Sequence, residues 1–260
     1  MSEGVLRVER DGPIGRLTFD NTARRNAINA AMWQAIPQAV SEFNNDAEIR
    51  CIVLRGEGET AFAAGADISE FETRRSSEEQ VRAYEAGVDA AHAALESSPK
   101  PVIALIHGFC VGGGLATALS CDLRYAADSA RFAIPAARLG LGYGVHGNNR
   151  LVATVGHAAA REIMFTARLY DAKEALAMGL VNRVMPDDVL DEYVEKLARD
   201  IAANAPLTVA ASKIAFEALI SPVGDFSSAQ TAVTACMASD DYIEGRRAFM
   251  EKRKPQFKGK

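Results

Sequence analysis

The sequence predicts an α/β core followed by a helical C-terminal region, and three observations carry that reading. Two short, wholly apolar runs, Cys51 to Leu54 and Val102 to Ile106, have the pattern of strands covered on both faces. Strand-like and helix-like stretches then alternate as far as Val184, and beyond Pro186 every apolar pattern has helical spacing. The division is placed at residues 1–200 for the core and 201–260 for the helical region. No low-complexity linker lies between them, so the two are expected to pack together.

The elements follow in order. Val5 to Val8 and Ile14 to Phe19 flank Asp11-Gly12-Pro13, which reads as a strand pair joined by a turn. From Asn29 the set Met32, Ile36, Val40 and Phe43 has helical spacing, with a kink expected at Pro37. Residues 57–75 read as loop, Glu78 to Leu95 as a helix stopped by Pro99-Lys100-Pro101, and Gly108 to Gly114 as a glycine-rich loop leading into a helix over Leu115 to Leu119. Asp122 to Ala126 and Arg131 to Ile134 are strand-like; Asp171 caps a helix over Ala172 to Met178, which Gly179 ends before a strand at Val181 to Val184. Leu190, Val194, Leu197 and Ile201 form one helical stripe, and further helices fit 206–219, 227–238 and 240–252.

Of the 260 residues 48% are hydrophobic and 24% charged, a globular composition long enough to need no disulfide or structural metal. The formal charge of −5 argues against nucleic acid or an anionic membrane as a partner. One basic patch stands out at the C-terminus, where Arg246, Arg247, Lys252, Arg253, Lys254, Lys258 and Lys260 face a single Glu251; it reads as a solvated tail or as a site for an anion. Cys51, Cys110, Cys121 and Cys236 are scattered without metal-ligand spacing and are expected to be buried thiols in a reducing compartment. The stretch MSEGVLRVERDG has no basic region followed by an apolar one, and no run reaches the roughly 18 apolar residues of a membrane helix, so the expected location is cytoplasmic.

The most informative segment is His107-Gly108-Phe109-Cys110-Val111-Gly112-Gly113-Gly114-Leu115-Ala116, between a buried strand and a helix. Consecutive glycines leave free N–H groups at the positive end of a helix dipole, which suits a developing oxyanion; they suit tight strand-to-helix packing equally well. A second segment, Ala61 to Ile68, has small residues where another backbone N–H could face a ligand. Gly142-Tyr143-Gly144-Val145-His146-Gly147 fits a dinucleotide fingerprint, but no buried strand precedes it and that reading is rejected.

Together with Pro101 to Ala104, Cys121 to Arg124, Arg25-Asn26-Ala27-Ile28, Ala172 to Val184 and Glu244 to Arg253, these segments resemble the enoyl-CoA hydratase/isomerase, or crotonase, superfamily over nearly the whole chain. The resemblance implies a crotonase-type spiral of ββα turns with C-terminal helices that build a homotrimer or a dimer of trimers. It implies that the N–H groups of Ala66 and Gly113 form an oxyanion hole for an acyl-CoA thioester, which is the substrate, with no other cofactor and no metal. It further implies that Arg24, Ala64, Asp67, Ile68 and Tyr143 border the substrate, and that Phe249 and Lys252 reach the nucleotide end from a neighbouring subunit.

The departures from the family pattern matter more. Hydratases of the family carry one Glu three residues after the central oxyanion glycine and another just after a Pro, and some relatives place an acid eight residues further on. Here those positions are Ala116, Ala136 and Gly144. Hydration needs a base for water and an acid for carbon, each worth roughly 10²- to 10⁴-fold, so their loss argues against simple enoyl-CoA hydration and leaves an enolate reaction or a non-catalytic binder. His146, on a glycine-rich loop over the pocket, is the leading replacement for the missing acid or base; its alternative is a surface histidine. Tyr143 reads as an aromatic lid or a hydrogen-bond donor, Asp67 as a structural acceptor, Arg138 as the partner of a surface acid, His107 as a core residue, and His92 and His157 as helix-surface residues. Tyr84 and Glu85 lie on a helix that lines the acyl pocket in relatives.

Overall fold

The computed structural model describes residues 4–70, 77–221 and 224–260. Val5–Asp11 (β1) and Ile14–Asp20 (β2) pair antiparallel across the Gly12-Pro13 turn, from Val5 opposite Asp20 to Asp11 opposite Ile14. Asn29 caps the next helix, Ala30–Asn45 (α1), by accepting a 2.8 Å hydrogen bond from the Met32 N–H. The helix runs through Pro37 as one element, forfeiting a single intrahelical bond while Trp33, Ile36, Val40 and Phe43 stay buried.

Three ββα turns follow. The first is Cys51–Gly56 (β3), Ala61–Ala63 (β4), a 3-10 turn at Ile68–Glu70 and Glu78–Ser97 (α2). The second is Val102–Ile106 (β5), Phe109–Val111 (β6) and Gly113–Leu119 (α3); the third is Leu123–Ala127 (β7), Arg131–Ala133 (β8) and Ala136–Leu139 (α4). Each turn gives its first strand to one sheet and its second strand to another. Thus β3, β5 and β7 pair parallel with one another, as do β4, β6 and β8. Successive turns therefore stack on their predecessors, which is the spiral that the resemblance implied.

The chain continues through Val145–Thr166 (α5), Tyr170–Asp171 (β9), Ala172–Ala177 (α6) and Arg183–Met185 (β10). Asp171 and Glu174 form a reciprocal capping box at the start of α6. The sheets have the orders β1-β2-β3-β5-β7-β10 and β4-β6-β8-β9. Asp187–Ala202 (α7) lays Leu190, Val194 and Ala198 on one face of the larger sheet, against Cys51, Val53, Ile103 and Leu105. The alternate residues Ile52, Leu54, Val102 and Ala104 enter the main core with Trp33 and Phe62. That alternation explains why β3 and β5 are apolar throughout.

Pro206–Ile220 (α8), Phe226–Met237 (α9) and Asp240–Met250 (α10) complete the chain, consistent with a helical region after α7. These helices leave Phe216, Leu219, Phe226, Met237, Ile243 and Phe249 exposed. Among the described residues no helix is long and apolar enough to cross a membrane, and no His/Cys/Asp/Glu group has the arrangement of a metal site.

Several sequence expectations are corrected. The stretch read as loop at 57–75 contains β4, whose three residues are too few to show a period, as well as the 3-10 turn; residues 71–76 lie outside the described residues. The glycine-rich loop from Gly108 contains β6 for the same reason, and its helix begins at Gly113 rather than Leu115. Cys51, Cys110 and Cys121 are buried, but Cys236 is only half-buried because it faces the uncovered side of the C-terminal helices. His157 is exposed as expected, whereas His92 is buried, because α2 packs that face against α1 and α3.

Candidate active site

The site is built from two chain segments whose local bonding leaves one amide each without a partner among the described residues. Arg25 and Asn26 adopt left-handed backbone conformations, and Asn26 Nδ2 donates to the Ala61 carbonyl (2.7 Å) and the Glu57 carbonyl (3.0 Å). The turn so fixed lays Ile28 alongside Ala66 as a parallel bridge. The Ile28 N–H donates to Gly65 O (2.8 Å) and the Asp67 N–H to Ile28 O (3.0 Å). Backbone groups alternate in direction along an extended segment, so the Ala66 N–H points away from Ile28. Among the described residues it has no acceptor.

The second amide comes from the β6-to-α3 turn. Gly112 has φ +55° and ψ −119°, a conformation open only to glycine, and its N–H donates to Ala133 O (2.8 Å). The chain then enters α3 at Gly113, whose N–H is among those that a helix start leaves unsatisfied. Gly114 lets the helix press on β4: a Cβ there would lie 2.3 Å from the Ala63 carbonyl oxygen. A Cβ on Gly113 would lie 3.4 Å from the Ala66 nitrogen, so the two free amides are neighbours. Backbone N–H groups placed this way at a helix start suit an oxygen that carries negative charge.

Both amides open onto a cavity of about 310 Å³ with largely apolar walls. Trp33 and Tyr84 form one side, joined by a 3.0 Å hydrogen bond from the indole N–H to the Tyr84 hydroxyl. Ala116, Ala136 and Gly144, the positions at which the resemblance places acids, all line it. Glu85, one residue from Tyr84, is exposed. Tyr143 packs against the core as an aromatic wall. Burial pushes its phenol up to about 12, which removes it as a base at neutral pH.

Two histidines reach the cavity. His92 sits 5.5 Å from Trp33 in an edge-on arrangement, and its Nε2 lies 3.3 Å from Thr117 Oγ1, which itself donates to Gly113 O (2.8 Å). Burial pulls the His92 pKa down to about 4, so at neutral pH it is an uncharged part of the wall. His146 lies in the first turn of α5 rather than on a loop, because Gly144 caps that helix and Val145 begins it. Its side chain is 57% exposed, with Nε2 3.0 Å from Glu96 Oε2. Sequence reading missed Glu96, which is 7% exposed; it lies one helical turn after His92, and the packing of α2 buries both.

At the opposite end, Arg24 Nη1 donates to Asp67 Oδ2 at 2.6 Å and also contacts Ser69. Asp67 is a hydrogen-bond acceptor here, taking further bonds from the Ser69 N–H (3.0 Å) and hydroxyl (2.7 Å). Burial alone would raise its pKa, but these bonds and Arg24 hold it below the usual carboxylate value. Ala64 lines the cavity beside Gly65, and Ile68 begins the 3-10 turn. Phe249 is 82% exposed at the end of α10, and Lys252 follows in a left-handed conformation. Not all of the basic tail is free, since Arg253 pairs with Glu244 and Glu251, and Arg247 with Glu244. Arg138 is exposed and makes no ion pair among the described residues, contrary to expectation, because the four-residue α4 presents it to solvent. His107 is buried with Nε2 2.9 Å from Asp191.

A ββα spiral that brings Ala66 and Gly113 to the wall of one largely apolar cavity defines an α/β protein of this architecture. By sequence the chain belongs to the enoyl-CoA hydratase/isomerase (crotonase) family, whose model matches residues 9–260. It is 35% identical over 249 residues to a short-chain-enoyl-CoA hydratase of Clostridium acetobutylicum, covering 95% of each chain. It is also 35% identical over 266 residues to a carnitinyl-CoA dehydratase of Citrobacter koseri, covering both chains completely. Among solved structures, an enoyl-CoA hydratase/carnithine racemase from Magnetospirillum magneticum superposes with a TM-score of 0.94 at 38% identity, covering 100% of this chain and 97% of that one.

Proposed function

We propose that this protein binds an acyl-CoA and stabilises its thioester enolate between the Ala66 and Gly113 amides, catalysing an isomerase- or lyase-type reaction other than simple enoyl-CoA hydration. One observation supports the reading: Ala66 and Gly113, neighbours whose N–H groups have no acceptor among the described residues, line a cavity whose wall also holds Ala116, Ala136 and Gly144, where the family resemblance places acids. In the enolate step a base takes the α-proton, the C–H pair becomes the C=C bond, and the carbonyl π pair moves onto the oxygen held by the amides. His146 is the proton carrier in this reading, because it is an imidazole on the wall with one ring nitrogen unpartnered among the described residues.

The pantetheine and nucleotide would run from the hole past Ala64, Asp67, Ile68 and Arg24. Phe249 and Lys252 would meet the CoA phosphates from a neighbouring subunit, which gives the uncovered apolar faces of α8 to α10 a purpose as the contact surface of a homotrimer or a pair of trimers. The location consistent with a CoA substrate is the cytoplasm. The second reading, an acyl-CoA binder without chemistry, is favoured by the same missing acids.

Hydrogen–deuterium exchange at the α-carbon separates the two. Incubating saturated and unsaturated acyl-CoAs with the protein in D2O and following the α-protons by NMR reports enolate formation whatever the later reaction. Exchange abolished by Gly113→Pro is expected. Tight CoA-thioester binding with no exchange and no turnover across a panel establishes the binder instead.

A further inference from the structure

The cavity wall that lacks the family's acids has a carboxylate immediately behind it. Glu96, near the end of α2, is buried and held from two other helices. Ser120, just past α3, donates its hydroxyl to Oε1 at 2.8 Å; Arg150 of α5 places Nη2 2.8 Å from Oε2; His146 of α5 places Nε2 3.1 and 3.0 Å from the two oxygens. His146 and Arg150 are four residues apart, so one face of α5 presents both to the same carboxylate. Arg150 is itself clamped by Glu217 of α8. Burial opposes ionisation of Glu96, but Arg150 and the hydrogen bonds from Ser120 and His146 outweigh it, and the pKa is held below the ordinary Glu value.

An ionised carboxylate can only accept hydrogen bonds, so the ring nitrogen facing it must carry the hydrogen. That decides the tautomer of neutral His146, with the proton on Nε2 and the lone pair on Nδ1. Among the described residues Nδ1 has no partner. Ser120 lies one helical turn beyond Ala116 on the helix that begins with Gly113, and this ties the imidazole to the element that supplies an oxyanion amide.

We propose that Glu96 is the positioning residue of a Glu96–His146 pair, its carboxylate locked by Ser120 and Arg150 so that His146 is presented through Nδ1 as the proton-transfer group. The inference deepens the enolate reading and rests on it. It puts a buried acid in a supporting role on α2, where the family's acids at positions 116 and 136 have none to offer. The loss of an orienting carboxylate costs up to about 10⁴-fold in a serine protease triad. A smaller effect, about tenfold or more, is expected here because His146 is half exposed to water.

The test combines α-proton exchange in D2O with the ¹⁵N spectrum of the histidine rings. Glu96→Gln should lower the saturated exchange rate about tenfold or more while leaving the half-saturating acyl-CoA concentration unchanged. His146→Ala should lower it further, and the double variant should be no slower than His146→Ala alone. The wild-type spectrum should show the Nε2-protonated form of His146, and Glu96→Gln a mixture. Should Glu96→Gln fail to fold, Ser120→Ala loosens the same lock and should shift the tautomers in the same direction. An Nδ1-protonated ring in the wild type overturns the pair, as does an equal Glu96→Gln loss with and without His146. Exchange that survives His146→Ala but not Gly113→Pro also overturns it and leaves the enolate reading standing. If the wild type shows no exchange at all, the enolate reading fails, and the ring spectrum still decides whether Glu96 orients His146.

Discussion

Lowering the pH should destabilise this protein through His92, and the size of the effect follows from its surroundings. The ring is 8% exposed, and burial, the largest influence, pulls its pKa to about 4; nearby His146 and Arg150 push the same way, against Glu96 and Asp89. An unfolded chain would titrate the same ring at about 6.5. Between those values the unfolded state holds the extra proton, so stability rises with pH across the window and falls as the pH drops through it. Linkage gives a loss of about 2 kcal/mol by pH 5 and about 3 kcal/mol by pH 4, relative to pH 7.5. His92→Gln keeps a donor within reach of Thr117 but cannot titrate. Urea unfolding of both proteins at fixed concentration, from pH 7.5 to 5, isolates the residue, because every other group cancels in the difference. The wild type should lose about 2 kcal/mol more than the variant over that range. Parallel profiles would show that His92 protonates as easily in the folded protein as outside it and would refute the assignment of a neutral wall.

Other perturbations address the hole and the ligand. Gly114→Ala puts a Cβ 2.3 Å from Ala63 O and forces α3 off β4, so acyl-CoA α-proton exchange should fall about 100-fold or more, as for loss of one oxyanion donor. An unchanged exchange rate in the variant would mean that the amides are not the acceptor site. Ala116→Glu with Ala136→Glu returns acids to a wall that still faces the ligand, and crotonyl-CoA hydration, followed by loss of the enoyl absorbance, should rise from near zero. No gain in a folded double variant would show that the acyl group lies elsewhere. Lys252→Ala should weaken CoA binding by calorimetry without altering exchange at saturation, and equal affinity would remove the tail from the site.

Much of the fold was legible because its cues are local. Unbroken apolar runs marked β3 and β5, helical spacing from Asn29 marked α1, the Asp171 side chain marked a helix start, and a stripe of leucine, valine and isoleucine marked α7. The short strands β4 and β6 carry three residues each, too few for any period, and their pairing is set by where the spiral brings the next turn. For the same reason His92 could not be placed: its helix has an apolar side, and only the packing of α2 on α1 and α3 buries the ring. His146 was found by chemistry but assigned to a loop, since glycines on either side hid the first turn of α5.

The order of residues alone supplied the two glycine- and alanine-rich segments, the empty positions 116, 136 and 144, and the family to which the chain belongs. All of these are properties of contiguous stretches of sequence. Folding in three dimensions decided which amides go without an acceptor, since that depends on Ile28 bonding either side of Ala66 across a gap of nearly forty residues. It also decided that Glu96, Ser120, His146 and Arg150, drawn from three separate stretches, share one buried cluster. Hydrogen bonds and charge pairs act over a few ångströms of space, and distance along the chain gives no measure of that separation until the core has packed.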